Sequence, residues 1–475
     1  MPMLNKAGVM ILLLSLLLFA CQPQEKVNAQ VEQASSYQQP SEAQQATEED
    51  TQETAQQQED AKQEAQEDAV VEIPKEQSEA AEETPAQDPV EELQLIYPKL
   101  IYDDAYNGPL YGTSEQVGSA DMDTYFENLD RNGINFFIGM FGIEGEPRAE
   151  TLVSDSGLGE VIAAVQKHPK RIVPFFNPGI GGEEVEQYLG EKWLGWYTTT
   201  LYASQRIAGP DFIRGFGEIE TQEWKARHND PRIIQLVDVA KENEIGFMFH
   251  PVAGKIDDVQ KIIEAYPDTT FLIHLYREDL AKSRDKLIIM LKEHDNLYFS
   301  MDAAHIIHVN KMDIIYDYDS GNAKSSISKF VSTYNSKEKS LVADAIKAYK
   351  PLVDAAPDKV MWGTEIGPEC AFDAQVFDKA IKASRLVIAG FNPEHQEGVG
   401  YKNALRVFGE GVVADPSIKV IDTRTWKDCT NSQMSGCDDS CDIPDSDVLT
   451  PEQDACFYSC IIKKQCREVV EMDTG

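Results

Sequence analysis

Between Leu95 and Glu410 the chain alternates eight times between short apolar runs and longer amphipathic stretches, which limits the folds open to it. The strand-like runs are KLIYDDAY, INFFIGMF, RIVPFFN, FIRGFGEI, IGFMFH, TTFLIH, NLYFSMD and KVMWGTE. The helix-like stretches that follow them are DMDTYFENLDRNG, GLGEVIAAVQKH, EEVEQYLGEKWLGWY, DPRIIQLVDVAKEN, DDVQKIIEAY, LAKSRDKLIIMLKEH, EKSLVADAIKAYKPLVDAA and DAQVFDKAIKASRLVIAG. Strand followed by helix, repeated in this way, predicts parallel strands joined by crossover helices. Eight repeats in about 310 residues favour a (β/α)8 TIM barrel, an α/β fold, over an open doubly wound sheet. No Gly-rich phosphate fingerprint follows an early strand, which argues against dinucleotide binding.

Several of these runs end on an ionisable side chain: Glu218, His250, His274 and Glu365. In a barrel of parallel strands all C-terminal strand ends open on one mouth, so residues distant in sequence meet there. Two imidazoles and a carboxylate (Glu218, His250, His274) suit one divalent ion, zinc by preference, and leave room for a water. Metal binding lowers the pKa of that water, and Glu365 stands where it can take the proton. Glu220 shares the strand phase of Glu218 and is a candidate second oxygen ligand or substrate contact. Asp302 ends the seventh run and is another rim candidate. His305 and His308 are read either as further ligands or as one face of a lid helix. Arg277 can pair a substrate carboxylate or a neighbouring acid. Phe141, Phe176, Tyr276 and Trp362 suit an apolar or ring-bearing small-molecule substrate, and equally a barrel core. Cys370 has no adjacent base and reads as a buried free thiol. The stretch from Ala303 to Lys337 reads as an insertion over the mouth.

The flanks differ in character. Residues 1–20 carry Lys6 and an apolar core from Val9 to Phe19, too short to span a membrane comfortably and suited to a signal peptide. Leu18-Phe19-Ala20-Cys21 resembles a prokaryotic lipobox, which implies lipid attachment at Cys21; an ordinary signal peptide or an uncleaved anchor is the other reading. The expected location is extracytoplasmic, anchored to the cell membrane, or to the outer membrane in a Gram-negative cell. Residues 21–94 form a linker, with 20 acidic and 3 basic residues between Gln22 and Gln94. Rich in Gln, Glu and Ala and poor in large apolar side chains, it is expected to be disordered, with transient helical turns as the alternative. At about 5–6 Å × √n it holds the folded part some tens of Å from the membrane. The net charge of −38 argues against nucleic acid as a partner.

Cys429, Cys437, Cys441, Cys456, Cys460 and Cys466 crowd the segment 425–475. An even number in a short extracytoplasmic segment predicts three disulfides, of connectivity left open. Cys437-x3-Cys441 and Cys456-x3-Cys460 place each pair one helical turn apart, consistent with two short helices stapled face to face. Metal binding there is the lesser reading, since the segment holds no histidine.

GFGEIE, FHP, the histidine closing TTFLIH, WGTEIGP and the closing YKNALRVFG resemble, in order and spacing, the amidohydrolase superfamily, in particular its Amidohydro_2 and TatD-like branches. The resemblance covers the barrel, 95–420. It implies that Glu218 or its equivalent, His250 and His274 bind metal, and that Glu365 holds the position of the family's strand-eight aspartate. It further implies hydrolysis of C–N, ester or phosphoester bonds, with decarboxylation also known on this scaffold. The family's strand-one motif, I-x-D-x-H-x-H, is missing. Laid on IYDDAYNGP, it puts Ala105 and Asn107, or Tyr106 and Gly108, where histidines belong. Asp103 and Asp104 offer oxygen there, but a second metal is not expected. The competing states are a mononuclear hydrolase, a metal-free enzyme and an inactive barrel that binds a ligand or partner. The oligomeric state is open.

Overall fold

The computed structural model describes residues 93–116, 122–142, 158–177, 193–219, 227–251, 255–275, 277–302, 323–366, 372–416, 427–443 and 449–467. Cys21, the stretch expected to be a targeting segment and nearly all of the expected linker lie outside these residues.

Eight parallel strands follow one another in chain order: β1 (Leu110–Gln116), β2 (Ile134–Phe141), β3 (Ile172–Phe176), β4 (Gly215–Ile219), β5 (Gly246–Phe249), β6 (Phe271–His274), β7 (Leu297–Asp302) and β8 (Val360–Gly363). Every residue from β2 to β8 is buried, which is why these runs read as continuous Phe, Ile, Met and Val rather than as alternating patterns. A helix follows each strand: α1 (Met122–Asn132), α2 (Leu158–Lys167), α3 (Trp193–Ala208), α4 (Pro231–Glu242), α5 (Ile256–Ala265), α6 (Arg277–Glu293), α7 (Ala323–Ala355) and α8 (Ala374–Ala389). Local chemistry sets the starts of two of them. Asp230 accepts from the Arg232 N–H with Pro231 at the first helical position, and Asp373 caps α8 through the Gln375 N–H.

β8 meets β1 and closes the ring. The Glu365 N–H donates to the Ser114 carbonyl at 2.8 Å, and the Thr113 hydroxyl to the Trp362 carbonyl at 3.0 Å. Only glycine fits at 363, because a Cβ would stand 2.4 Å from Ser114 Oγ and 2.8 Å from Ser300 Oγ. The expected barrel is therefore the observed one.

Three expectations need correction. The first strand is LYGTSEQ, not KLIYDDAY. The latter segment runs outside the sheet: Asn107 bonds the backbone of Tyr102 and Ala105, and the buried Arg385 guanidinium takes the carbonyls of Tyr106 and Gly108, each at 2.8 Å. Within the described residues the third helix spans Trp193–Ala208, well beyond the predicted Tyr197, while 183–192 lies outside them. The stretch read as an insertion up to Lys337 is helical from Ala323 onward and continues into α7, whereas 303–322 lies outside the described residues.

After the barrel come α9 (Pro393–Glu397), one π-helical turn over Gly398–Lys402, and α10 (Asn403–Phe408). Two further helices, α11 (Asn431–Ser440) and α12 (Pro451–Lys464), begin with the same device. Thr430 with Gln433, and Thr450 with Gln453, form capping boxes. Cys437–Cys460 and Cys441–Cys456 link the two helices, and Cys429–Cys466 ties β9 (Lys427–Asp428) to β10 (Cys466–Arg467). The pair packs against the barrel: α12 lies on α3, and Ala455, Phe457 and Ile461 belong to the same apolar core as the barrel. Among the described residues no helix is long and apolar enough to cross a membrane.

Candidate metal centre

Four strand ends bring their ionisable side chains together. Glu218 is the penultimate residue of β4, His250 follows β5, His274 closes β6, and Glu365 lies two residues past β8. One potential ligand atom from each lies within 4.8 Å of all the others. Glu218 Oε1 faces both imidazoles, 2.5 Å from His250 Nδ1 and 2.7 Å from His274 Nδ1. The far side of the His274 ring faces two more carboxylates, Glu365 Oε2 at 2.9 Å and Asp302 Oδ2 at 3.7 Å. The two rings stand 4.7 Å apart at 60°.

Burial gives these contacts their strength, since Glu218, His250, His274 and Asp302 are each at most 1% exposed. Burial alone would raise the Glu218 carboxyl, but the flanking His250 and His274 outweigh it and hold that carboxyl well below the usual range. His274 is the converse. Burial disfavours its charge, yet Glu365 and Glu218 lift it well above the ordinary imidazole value. Burial pushes Glu365 up to about 8, against the pull of His274 and with the nearby charge of Glu218.

Glu365 also adopts a backbone conformation unusual for its type. Its φ of 53° lies in the left-handed region, which costs a non-glycine residue on the order of 1–3 kcal/mol. Gly217, next to Glu218, needs its own freedom: its φ is 143°, and a Cβ would meet the Cβ of Met248 at 2.5 Å.

The donor set fits a divalent cation of the zinc type, with two imidazole nitrogens and two carboxylate oxygens on one spot. Metal binding needs neutral imidazoles and ionised carboxylates, so affinity at such a site rises with pH. Asp302 closes β7 as a buried residue, adjoining His274 and with its own carbonyl bonded by the Tyr349 hydroxyl at 2.8 Å. Asp103 and Asp104 do not join the group. Both are exposed and precede the N-terminal end of β1, on the opposite side of the barrel from the mouth. Moving strand one to LYGTSEQ does not restore the missing motif, because that segment also lacks histidine. Glu220, Tyr276, His305, His308 and Cys370 lie outside the described residues, as does the Arg277 side chain. Phe141, Phe176 and Trp362 are buried core residues rather than a lining for substrate; Phe176 packs against Tyr197 and Phe216.

Two buried residues at this end of the barrel escaped sequence reasoning. His228 lies edge-on to Phe249, and burial lowers it to about 4. Glu115, one residue short of the end of β1, is 2% exposed and pushed up to about 7 by burial, despite its bonds to Thr364 and Tyr125. Glu115 becomes a strand-end carboxylate like Glu218 only once strand one is placed on Leu110–Gln116.

No protein-family model matches the sequence, and no curated protein does. Among solved structures the chain is similar to an amidohydrolase from Burkholderia multivorans with bound zinc, at 12% identity and a TM-score of 0.39, covering 64% of this chain and 100% of that one. It is also similar to 2,6-dihydroxybenzoate decarboxylase from Rhizobium, at 11% identity and a TM-score of 0.35, covering 63% and 98%. A third is 5-carboxyvanillate decarboxylase from Novosphingobium aromaticivorans, complexed with manganese and 4-hydroxy-3-methoxy-5-nitrobenzoic acid, at 11% identity and a TM-score of 0.33, covering 64% and 97%. Likeness at this level transfers neither activity nor ligand. In fold, the chain is a (β/α)8 barrel.

Proposed function

We propose that this protein is a mononuclear metal-dependent hydrolase of a C–N, ester or phosphoester bond in a small molecule. The observation that carries the reading is the convergence of Glu218, His250, His274 and Glu365 from four separate strands on one buried point. Glu218, His250 and His274 would hold the ion. When bound, it supplies a water acidic enough to be deprotonated near neutral pH. Glu365, whose Oε2 stands 2.9 Å from His274 Nε2, would be the carboxylate placed to accept a proton from that water. Glu218 keeps its negative charge throughout, because two imidazoles stabilise it. Asp302, beside His274 Nε2, helps fix the ring orientation.

Metal content decides the matter. Purified without chelators, the protein should hold about one equivalent of a divalent metal by mass spectrometry, and the His250→Ala variant should lose it. No metal after incubation with zinc, manganese or iron would sink the mechanism and leave a ligand-binding barrel.

We further propose that Cys21 carries lipid and that the barrel works outside the cytoplasm, a reading supported by six cysteines all paired as disulfides. Metabolic labelling with an alkyne fatty acid tests it. The label should be lost in Cys21→Ser, and an unlabelled parent protein would refute the anchor.

A further inference from the structure

The strained backbone of Glu365 is held from both sides. Its own N–H reaches the Ser114 carbonyl on β1 at 2.8 Å. The residue before it, Thr364, is fully buried and bound twice by one side chain: the Thr364 N–H donates to Glu115 Oε1 at 3.2 Å, and the Thr364 hydroxyl donates to Glu115 Oε2. The same hydroxyl accepts from the Ile366 N–H at 3.1 Å, so the turn is gripped before and after Glu365. Tyr125 of α1 donates to Glu115 Oε2 at 3.4 Å and steadies the carboxylate. Space for that carboxylate exists because residue 112 is glycine; a Cβ there would stand 2.2 Å from Glu115 Oε1.

We infer that Glu115, through Thr364, is a positioning residue that holds Glu365 in its left-handed conformation, with its carboxylate turned toward His274. Glu115 is not among the four side chains that converge on the candidate metal point. Its carboxylate instead links β1, α1 and the end of β8, and it sets where the strand-eight carboxylate stands relative to the ion. The inference rests on the hydrolase reading for its consequence, but not for its geometry.

Two readouts test it: amide hydrogen exchange across 364–366 in the metal-free protein, and binding of cobalt(II), followed by its visible absorption. Three variants are compared. Glu115→Ala removes the grip. Gly112→Ala keeps Glu115 and displaces its carboxylate, so the test survives if the first variant fails to fold. Glu115→Gln retains one acceptor and one amide group in the same place. In Glu115→Ala and Gly112→Ala, exchange across 364–366 should quicken, and cobalt affinity should fall by about 10- to 100-fold, the loss ordinarily seen when a ligand's support is removed. Glu115→Gln should recover much of both, a rescue that general destabilisation would not produce. Unchanged exchange and an unchanged cobalt spectrum in folded Glu115→Ala or Gly112→Ala would overturn the inference. Faster exchange in a protein whose parent binds no cobalt would uphold the positioning role and instead refute the hydrolase reading.

Discussion

The two halves of the barrel mouth are built on different principles. On the β4–β6 side, Glu218, His250 and His274 hold one another directly, side chain to side chain, at 2.5 and 2.7 Å. On the β8–β1 side, Glu365 reaches the cluster only from a strained turn, held by backbone N–H bonds from Glu365 to the Ser114 carbonyl and from Thr364 to the Glu115 carboxylate. The first half depends on charge: remove one partner and a buried charge is left uncompensated. The second depends on backbone geometry, so its changes should appear first in the placement of Glu365 and only then in what binds.

Several experiments would break or sharpen that contrast. The largest effect is expected from His274→Ala, because this ring faces Glu218 through one nitrogen and Glu365 through the other. Metal affinity should fall by more than about 100-fold, a loss larger than removal of an outer partner produces; retention of a full equivalent by mass spectrometry would contradict the assignment. Glu365→Asp should be milder. It withdraws the carboxylate by about 1 Å, which is enough to slow turnover by about 10²-fold while metal content stays near that of the parent. Equal loss of metal and turnover would show that both halves serve as ligands alike.

Stability against pH separates the halves by sign. Glu115 is raised to about 7, so between its unfolded value and pH 7 the folded state binds a proton that the unfolded state releases. Its contribution, on the order of 3 kcal/mol, is fully present below about pH 4.3 and is lost as pH rises through 7. Glu218 is lowered, so its contribution is present above about pH 4.3 and is lost as pH falls. Urea unfolding from pH 2 to 8 should therefore show Glu218→Gln flattening the acid arm of the parent curve and Glu115→Gln the arm toward pH 8. The smallest effect on the mouth should follow reduction of the three disulfides. Loss of a native disulfide typically removes about 2–5 kcal/mol of stability, and melting should occur earlier, yet metal content below the melting temperature should not change.

Much of this could be read along the chain. Seven of the eight strands were legible because each is a short buried run flanked by an amphipathic helix. Glu218, His250 and His274 were legible because each ends or follows such a run, and in a parallel barrel position along a strand places a residue at the mouth. The paired helices of the C-terminal segment were visible in the x3 spacing of their cysteines. Strand one failed for a reason that local sequence does not carry. KLIYDDAY has strand-like composition, but it lies outside the sheet, where Arg385, 279 residues after Tyr106, donates to the Tyr106 carbonyl. With strand one misplaced, Glu115 dropped out of consideration and Asp103 and Asp104 took its place.

By itself, then, the sequence determined the barrel and the imidazole side of its mouth, because hydrophobic periodicity and strand-end position are properties of neighbouring residues. Only the tertiary structure decided which segment begins the barrel, how the disulfides pair, and how Glu365 is held. Those depend on closing the ring, in which β1 and β8, some 250 residues apart, share hydrogen bonds such as that from Thr113 to Trp362, a separation of 249. No local pattern records that contact, and it forms only when all eight strands are in place.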